Sequence, residues 1–235
     1  MKVIKNMAES ILNQTEIVKY LDKDSELPPN IEFKIYDRRE EKVVGQLNAH
    51  KMVLGMVSPV FRCGFFKMKN HDMVTEEIVI RDTSLPAFKA MIDMIYKKET
   101  VATILNGLDR CEMFETLNLS ERYDIPSMKK DITKHLLRLP LKKNNVVETA
   151  ALAKDYSQLG GLQSTCKDVF TNCSIYLERE VRTIHELLVF CKEHAESDNV
   201  DVALQLMSQM SDITERKKRE GEEMLAYATS RMKKY

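Results

Sequence analysis

Two hydrophobic periods divide this chain, and the place where one gives way to the other constrains its fold more than any single motif. Alternation with period two is confined to the first third. Ile31-Glu-Phe-Lys-Ile-Tyr36 alternates apolar and charged residues, Val43-Val-Gly-Gln-Leu47 can return beside it as a hairpin, and Glu77-Ile-Val-Ile80 supplies a third strand. Such alternation sends successive side chains to opposite faces, as a half-buried strand requires. Beyond Leu139-Pro-Leu141 the alternation stops. Val146 to Leu159, Leu162 to Ile175, Val181 to Cys191 and Val200 to Ile213 carry apolar residues at spacings of three and four, the pattern of helices with one buried face. The chain is therefore read as α+β: a small sheet flanked by short helices over residues 29–138, then an all-helical region.

Local signals place the remaining elements. Met7, Ile11, Val18 and Leu21 form an amphipathic stripe, and the Pro-Pro of DKDSELPPN ends that helix and extends the chain, so residues 1–28 are read as a helix and linker. His50 to Val57 suits a short buried helix in which Gly55 allows close approach. Ser58 then caps the next helix with Pro59 at its first position. Phe61, Phe65 and Phe66 are expected on one buried side of that helix. Leu85 to Tyr96, entered through Ser84 and Pro86, Leu108 to Tyr123 and Pro126 to Leu137 read as helices, and Val101 to Ile104 as a strand. Within the helical region, 139–195 is set apart from a tail over 196–235. There ERKKREGEE, Glu215 to Glu223, is a solvated face and Met224 to Tyr235 is expected to fray.

Composition removes several functional classes. Lys and Arg number 36 and Asp and Glu 36, so no global field draws the chain to nucleic acid or to an anionic membrane. No apolar run has the length of a membrane span. Five cysteines, Cys63, Cys111, Cys166, Cys173 and Cys191, have no paired spacing and suit a reducing compartment, cytoplasmic or nuclear. Cys191-Lys-Glu-His194 is a two-ligand fragment without the second pair of a zinc site. No metal and no cofactor are expected. A Ser58–His50 nucleophile pair lacks an orienting third group and a glycine-rich elbow, so no catalytic residues are assigned and the chain is read as a non-enzyme.

Ordered blocks then carry a family resemblance. His50-Lys-Met-Val-Leu54 followed by Ser58-Pro-Val-Phe61 resembles the H-K-x-V-L-x-x-x-S-P-V-F signature of BTB/POZ domains at the right spacing. Ile78-Val-Ile-Arg-Asp82, Ala87-Phe88 leading to Met94-Ile-Tyr96, and Tyr123-Asp-Ile-Pro-Ser-Met128 follow in the family's order. The resemblance covers residues from about Pro29 to Leu137 and implies that His50, Val53, Leu54, Ser58, Phe61, Tyr96 and Tyr123 are its signature core. From Leu141 on, Asn145-Val146, Ala153, Tyr156, Leu162, Cys166 and Phe170 are similar to the BACK-type helical region that often follows, and the chain ends before a kelch-like propeller.

The resemblance implies a protein-interaction module. Its members form two-fold dimers, often through an N-terminal helix on the partner subunit, which makes Met7, Ile11, Val18 and Leu21 the candidate homodimer contacts. Many bind cullin-3 as adaptors of a ubiquitin ligase, through an apolar residue, any residue and an acid in the loop after the Phe61 helix. Phe66, Met68, Asn70 and Asp72 are the candidates here, with Asn70 in the acid's place. Asn30 likewise replaces the acid that precedes the first strand. The client protein is unknown. The alternative is a self-associating scaffold without a ligase.

Overall fold

The computed structural model describes residues 28–37, 41–66, 76–96, 99–181, 186, 189–190, 193 and 199–232. The chain forms two compact units, Met1–His135 and Leu136–Tyr235.

The first unit is organised by β1, Ile31–Asp37, the middle strand of a three-stranded sheet. β2, Lys42–Ala49, pairs with it antiparallel, with Phe33 opposite Leu47 and a bulge between Ile35 and Tyr36. β3, Glu76–Ile80, pairs with it parallel and puts Ile78 opposite Phe33. A parallel partner demands a crossover, which begins with α1, Lys51–Val57, and α2, Pro59–Phe66. Alternation decides the faces: Ile31, Phe33 and Ile35 have no exposed surface. On the other face Lys34 donates to Glu77 at 2.6 Å, and the Arg81 guanidinium lies 4.7 Å from the centre of the Tyr36 ring.

Four more helices complete the unit: α3, Leu85–Ile95, α4, Val101–Asn106, α5, Arg110–Arg122, and α6, Pro126–Leu136, which ends at the boundary. Their starts follow from caps that satisfy otherwise orphaned N–H groups. Ser84 accepts from the Ala87 N–H, and Asp109 and Glu112 form a reciprocal capping box. A Cβ on Gly45 would come within 2.6 Å of the Leu85 side chain, which would have to shift, so the glycine lets the start of α3 lie close on β2.

Two local expectations fail in this unit. Val101 to Ile104 is helix, not strand, because Thr100 accepts from the Thr103 N–H at 3.2 Å and starts a turn that buries Leu105. The aromatics of α2 do not share one buried side. Phe61 and Phe65 are four apart and stack at 5.5 Å, whereas Phe66, one position further round, is 48% exposed.

The described elements of the second unit from Leu137 on are all helical. α7, Val146–Tyr156, α8, Gln163–Glu180, and α9, Val200–Met232, pack on one another. Their buried faces are built largely from small and medium side chains: Ala150 and Ala153 on α7, Cys166, Val169 and Cys173 on α8, Val202 and Ala203 on α9. Both α8 and α9 outrun the sequence expectation, which ended them at Ile175 and Ile213. No proline interrupts either, and Gly221 alone costs about 1 kcal/mol relative to Ala, too little to stop a 33-residue helix. The expected fraying from Met224 on is replaced by backbone that stays helical to Met232. Most of Val181 to Cys191 lies outside the described residues.

Candidate protein-interaction site

The block from Ala49 to Phe61 is where strand hands over to helix, and several of its polar groups tie it to the rest of the unit. Ala49 ends β2 in the core, and its carbonyl accepts from the Asn30 N–H at 3.1 Å while the Asn30 side chain accepts from the Lys51 N–H at 2.9 Å. The His50 N–H donates to the Tyr96 hydroxyl at 2.8 Å. That hydroxyl lies 2.9 Å from His50 Nδ1. Burial pushes the Tyr96 phenol up to about 12, against the opposing backbone hydrogen bond from His50. It therefore stays protonated and holds the start of α1 to the end of α3.

Ser58 makes the second cross-link. It is fully buried, its hydroxyl donates to the Tyr123 carbonyl at 2.5 Å, and its oxygen accepts from the Phe61 N–H at 3.1 Å. With proton and lone pair both committed, Ser58 does the work of a cap and a tie. The Phe61 ring stacks on Tyr123 at 4.3 Å and lies 6.0 Å from Phe33, which in turn meets Phe88 at 5.1 Å. Burial raises the Tyr123 phenol, with Arg122 acting in the opposite sense. Val53 and Leu54 complete the buried side of α1. A third tie was not foreseen from sequence: Ser84 donates both its N–H and its hydroxyl to Glu115, at 3.0 and 2.5 Å.

What this scaffold offers outward is apolar. A Cβ on Gly55 would lie 2.9 Å from the Phe66 ring and 3.4 Å from the Arg62 Cα, so α2 folds closely over α1. The two helices nevertheless leave Met52 at 66%, Met56 at 38%, Val60 at 43% and Phe66 at 48% exposure. Met52 and Met56, four apart, share one face of α1, and exposed apolar faces are a mark of interaction surfaces. Met56, expected within a short buried helix, is instead part of the exposed surface. Of the cullin-contact candidates only Phe66 is described, at the end of α2; Met68, Asn70 and Asp72 lie outside the described residues, as do Met7, Ile11, Val18 and Leu21. Cys191 and His194 lie outside them too, and among the described residues no three His, Cys, Asp or Glu side chains are gathered as a metal would need. No helix among the described residues is long and apolar enough to cross a membrane.

The family model for the BTB/POZ domain matches residues 42–139. This chain carries a BTB/POZ domain. The BTB/POZ and MATH domain-containing protein 3 of Arabidopsis thaliana is 31% identical over 143 residues, 58% of this chain and 33% of that protein. The BTB and MATH domain-containing protein 42 of Caenorhabditis elegans is 26% identical over 111 residues, 47% of this chain and 26% of that protein. The chain thus spans about a third and a quarter of the lengths of these relatives. β1 precedes the matched residues, yet it is the strand on which the BTB/POZ sheet is built. A BTB/POZ domain is a protein-interaction module, which agrees with the fully committed polar groups of His50, Ser58 and Tyr96.

Proposed function

We propose that this protein is a dimeric BTB adaptor that recruits a client to a cullin-3 ubiquitin ligase, in the cytoplasm or nucleus, with the helical second unit holding the client. The observation that carries the reading is the exposed Met52 and Met56, four apart on α1. Met52 and Met56 offer area for a second copy, on which the N-terminal stripe of Met7, Ile11, Val18 and Leu21 would pack. Phe66 leads directly into the segment with Met68, Asn70 and Asp72. A C₂ pair is the commonest way for a soluble chain to cover such a face.

One observation favours a second reading, a self-associating scaffold without a ligase. Asn70 stands where the family contact has an acid, and an amide lacks the charge that roughly doubles the strength of such a hydrogen bond. Light scattering on the chain alone, then with the N-terminal half of cullin-3, tests both. A mass of two chains that gains two cullins supports the adaptor. A dimer that ignores cullin supports the scaffold, and a monomer removes the dimer from both. Asn70→Glu is expected to strengthen cullin binding under the first reading and to leave it unchanged under the second.

A further inference from the structure

The second unit carries a cation-rimmed seam that the BTB/POZ match does not reach. Where α9 lies along α7 and α8, two open hollows meet at Gln209. One, of about 230 Å³, is lined by Lys154, Lys167 and Gln205 among others; the second, of about 390 Å³, by Asp212, Arg216 and Arg219. Of the charged side chains lining the pair, Lys154, Lys167, Arg216 and Arg219 are cations and Asp212 alone is an acid. Asp201 takes up Lys154 in an ion pair, and even with it counted the seam keeps two more cations than acids. Asp155 and Asp168 stand on α7 and α8 but do not line it. On a chain with 36 charges of each sign this is a local excess, set in open hollows rather than spread over a helix face.

The junction is pre-oriented. The buried Ser174 hydroxyl, which also faces the Phe170 carbonyl at 3.2 Å, donates to Gln209 Oε1 at 2.8 Å and so holds the side-chain amide. From Gln205 to Arg219 the seam follows α9 for about 21 Å at 1.5 Å per residue. An extended segment at about 3.3 Å per residue covers that distance in roughly six residues.

We propose that this seam takes an acidic, extended segment of a partner protein, about six residues long, with carboxylates set against Lys167 and Arg219. The proposal rests on the part of the functional reading that gives the second unit the client, and not on the cullin contact. Lys167 and Arg219 are exposed, so reversing them leaves the packed faces untouched.

The test is fluorescence anisotropy of a labelled Asp/Glu-rich octapeptide, and of its Asn/Gln counterpart, against the full chain at low and high salt. The acidic peptide should bind, weaken with salt and lose about tenfold in affinity in Lys167→Glu/Arg219→Glu, where two attractions become repulsions. Lys167→Ala/Arg219→Ala should lose less, and circular dichroism on each variant confirms that α8 and α9 persist. Equal binding of the neutral peptide, undiminished binding by the charge-reversed chain, or complete displacement by millimolar inorganic phosphate would overturn the proposal. Cullin binding measured on the same samples separates the two readings: its loss with peptide binding intact leaves the seam standing, and the reverse removes the seam alone.

Discussion

The two units hold themselves together in different ways. In the first, elements far apart in sequence are tied by aromatic rings and by buried polar cross-links: His50 to Tyr96, Ser58 to Tyr123 and Ser84 to Glu115. In the second, Phe170 is buried beside many Ala, Cys and Val side chains, hydrogen bonds such as Thr149 to Asn145 and Ser157 to Lys154 stay within a helix and its caps, and Ser174 to Gln209 joins α8 to α9. The lesson is where a single substitution should hurt. A unit closed by a few long-range hubs is fragile at those hubs, whereas one closed by distributed helix contacts loses a little wherever it is touched.

The sharpest way to break this contrast is Phe61→Ala. Phe61 is 5% exposed and touches Phe33, Phe65 and Tyr123, so its removal should cost about 3–5 kcal/mol. Hydrogen exchange should rise across β1, α1 and α5 while the amides of α7 and α8 keep their protection. An equal rise in both units would end the distinction. Ser58→Ala comes next, with an expected loss of about 1–3 kcal/mol in chemical denaturation, because both the cap and the partner of the Tyr123 carbonyl go.

Tyr96→Phe should cost about 1–2 kcal/mol near neutral pH by removing the hydroxyl to which the His50 N–H donates. Its pH dependence sharpens the point. The folded phenol is held at about 12, above its ordinary 10, so the unfolded chain loses that proton first and the wild type loses stability as pH rises from 10 towards 12. The variant should lack that component of the alkaline loss, which thermal melts across the range would show. A comparable effect lies at the acid side. Burial lowers the His135 pKa, and its Nε2 is buried without a partner. The unfolded chain therefore binds that proton first as pH falls below 6.5, so stability declines there. His135→Gln should flatten the melting temperature against pH just below 6.5 relative to wild type.

In the second unit Ser174→Ala should cost about 1 kcal/mol, the loss of one neutral hydrogen bond. Asp201→Asn should leave the melting temperature unchanged within error at physiological salt, since the carboxylate that pairs with Lys154 is 64% exposed and such pairs contribute little. A large effect of either would mean that this unit has hubs after all.

The same contrast explains what could be read from sequence. β1 and α3 were legible because periodicity, cap and proline agree there, as Ile31, Phe33 and Ile35 alternate and Ser84 precedes Pro86. Thr100 was a cap in plain view, but the β-branched Val101 and Thr103 pointed to a strand and the cap decided the outcome. The parallel direction of β3 was hidden, because orientation is set by the crossover and not by the strand's own residues. Phe66 looked like core by composition and is surface by its angle around α2. The reach of α9 to Met232 was missed because the charged run Glu215 to Glu223 interrupts the apolar spacing, and the helix continues through it. For the site, the ring and hydroxyl types at His50, Ser58, Tyr96 and Tyr123 were legible through an ordered set of blocks. Ser84 with Glu115 and the Met52–Met56 face depend on contacts between elements that no local pattern records.

The parallel pairing of β1 with β3 also has a consequence in time. β2 follows β1 directly, so a hairpin can close as soon as both have left the ribosome, but the opposite edge of β1 waits until Glu76–Ile80 emerges. At about 5–20 residues per second that wait lasts some seconds, during which Ile31, Phe33 and Ile35 have neither their third strand nor the Phe88 ring of α3 above them. The nascent chain therefore passes through an interval as an open-edged hairpin, the form most liable to pair with a neighbour on the same message, and the interval closes only when the crossover has been made.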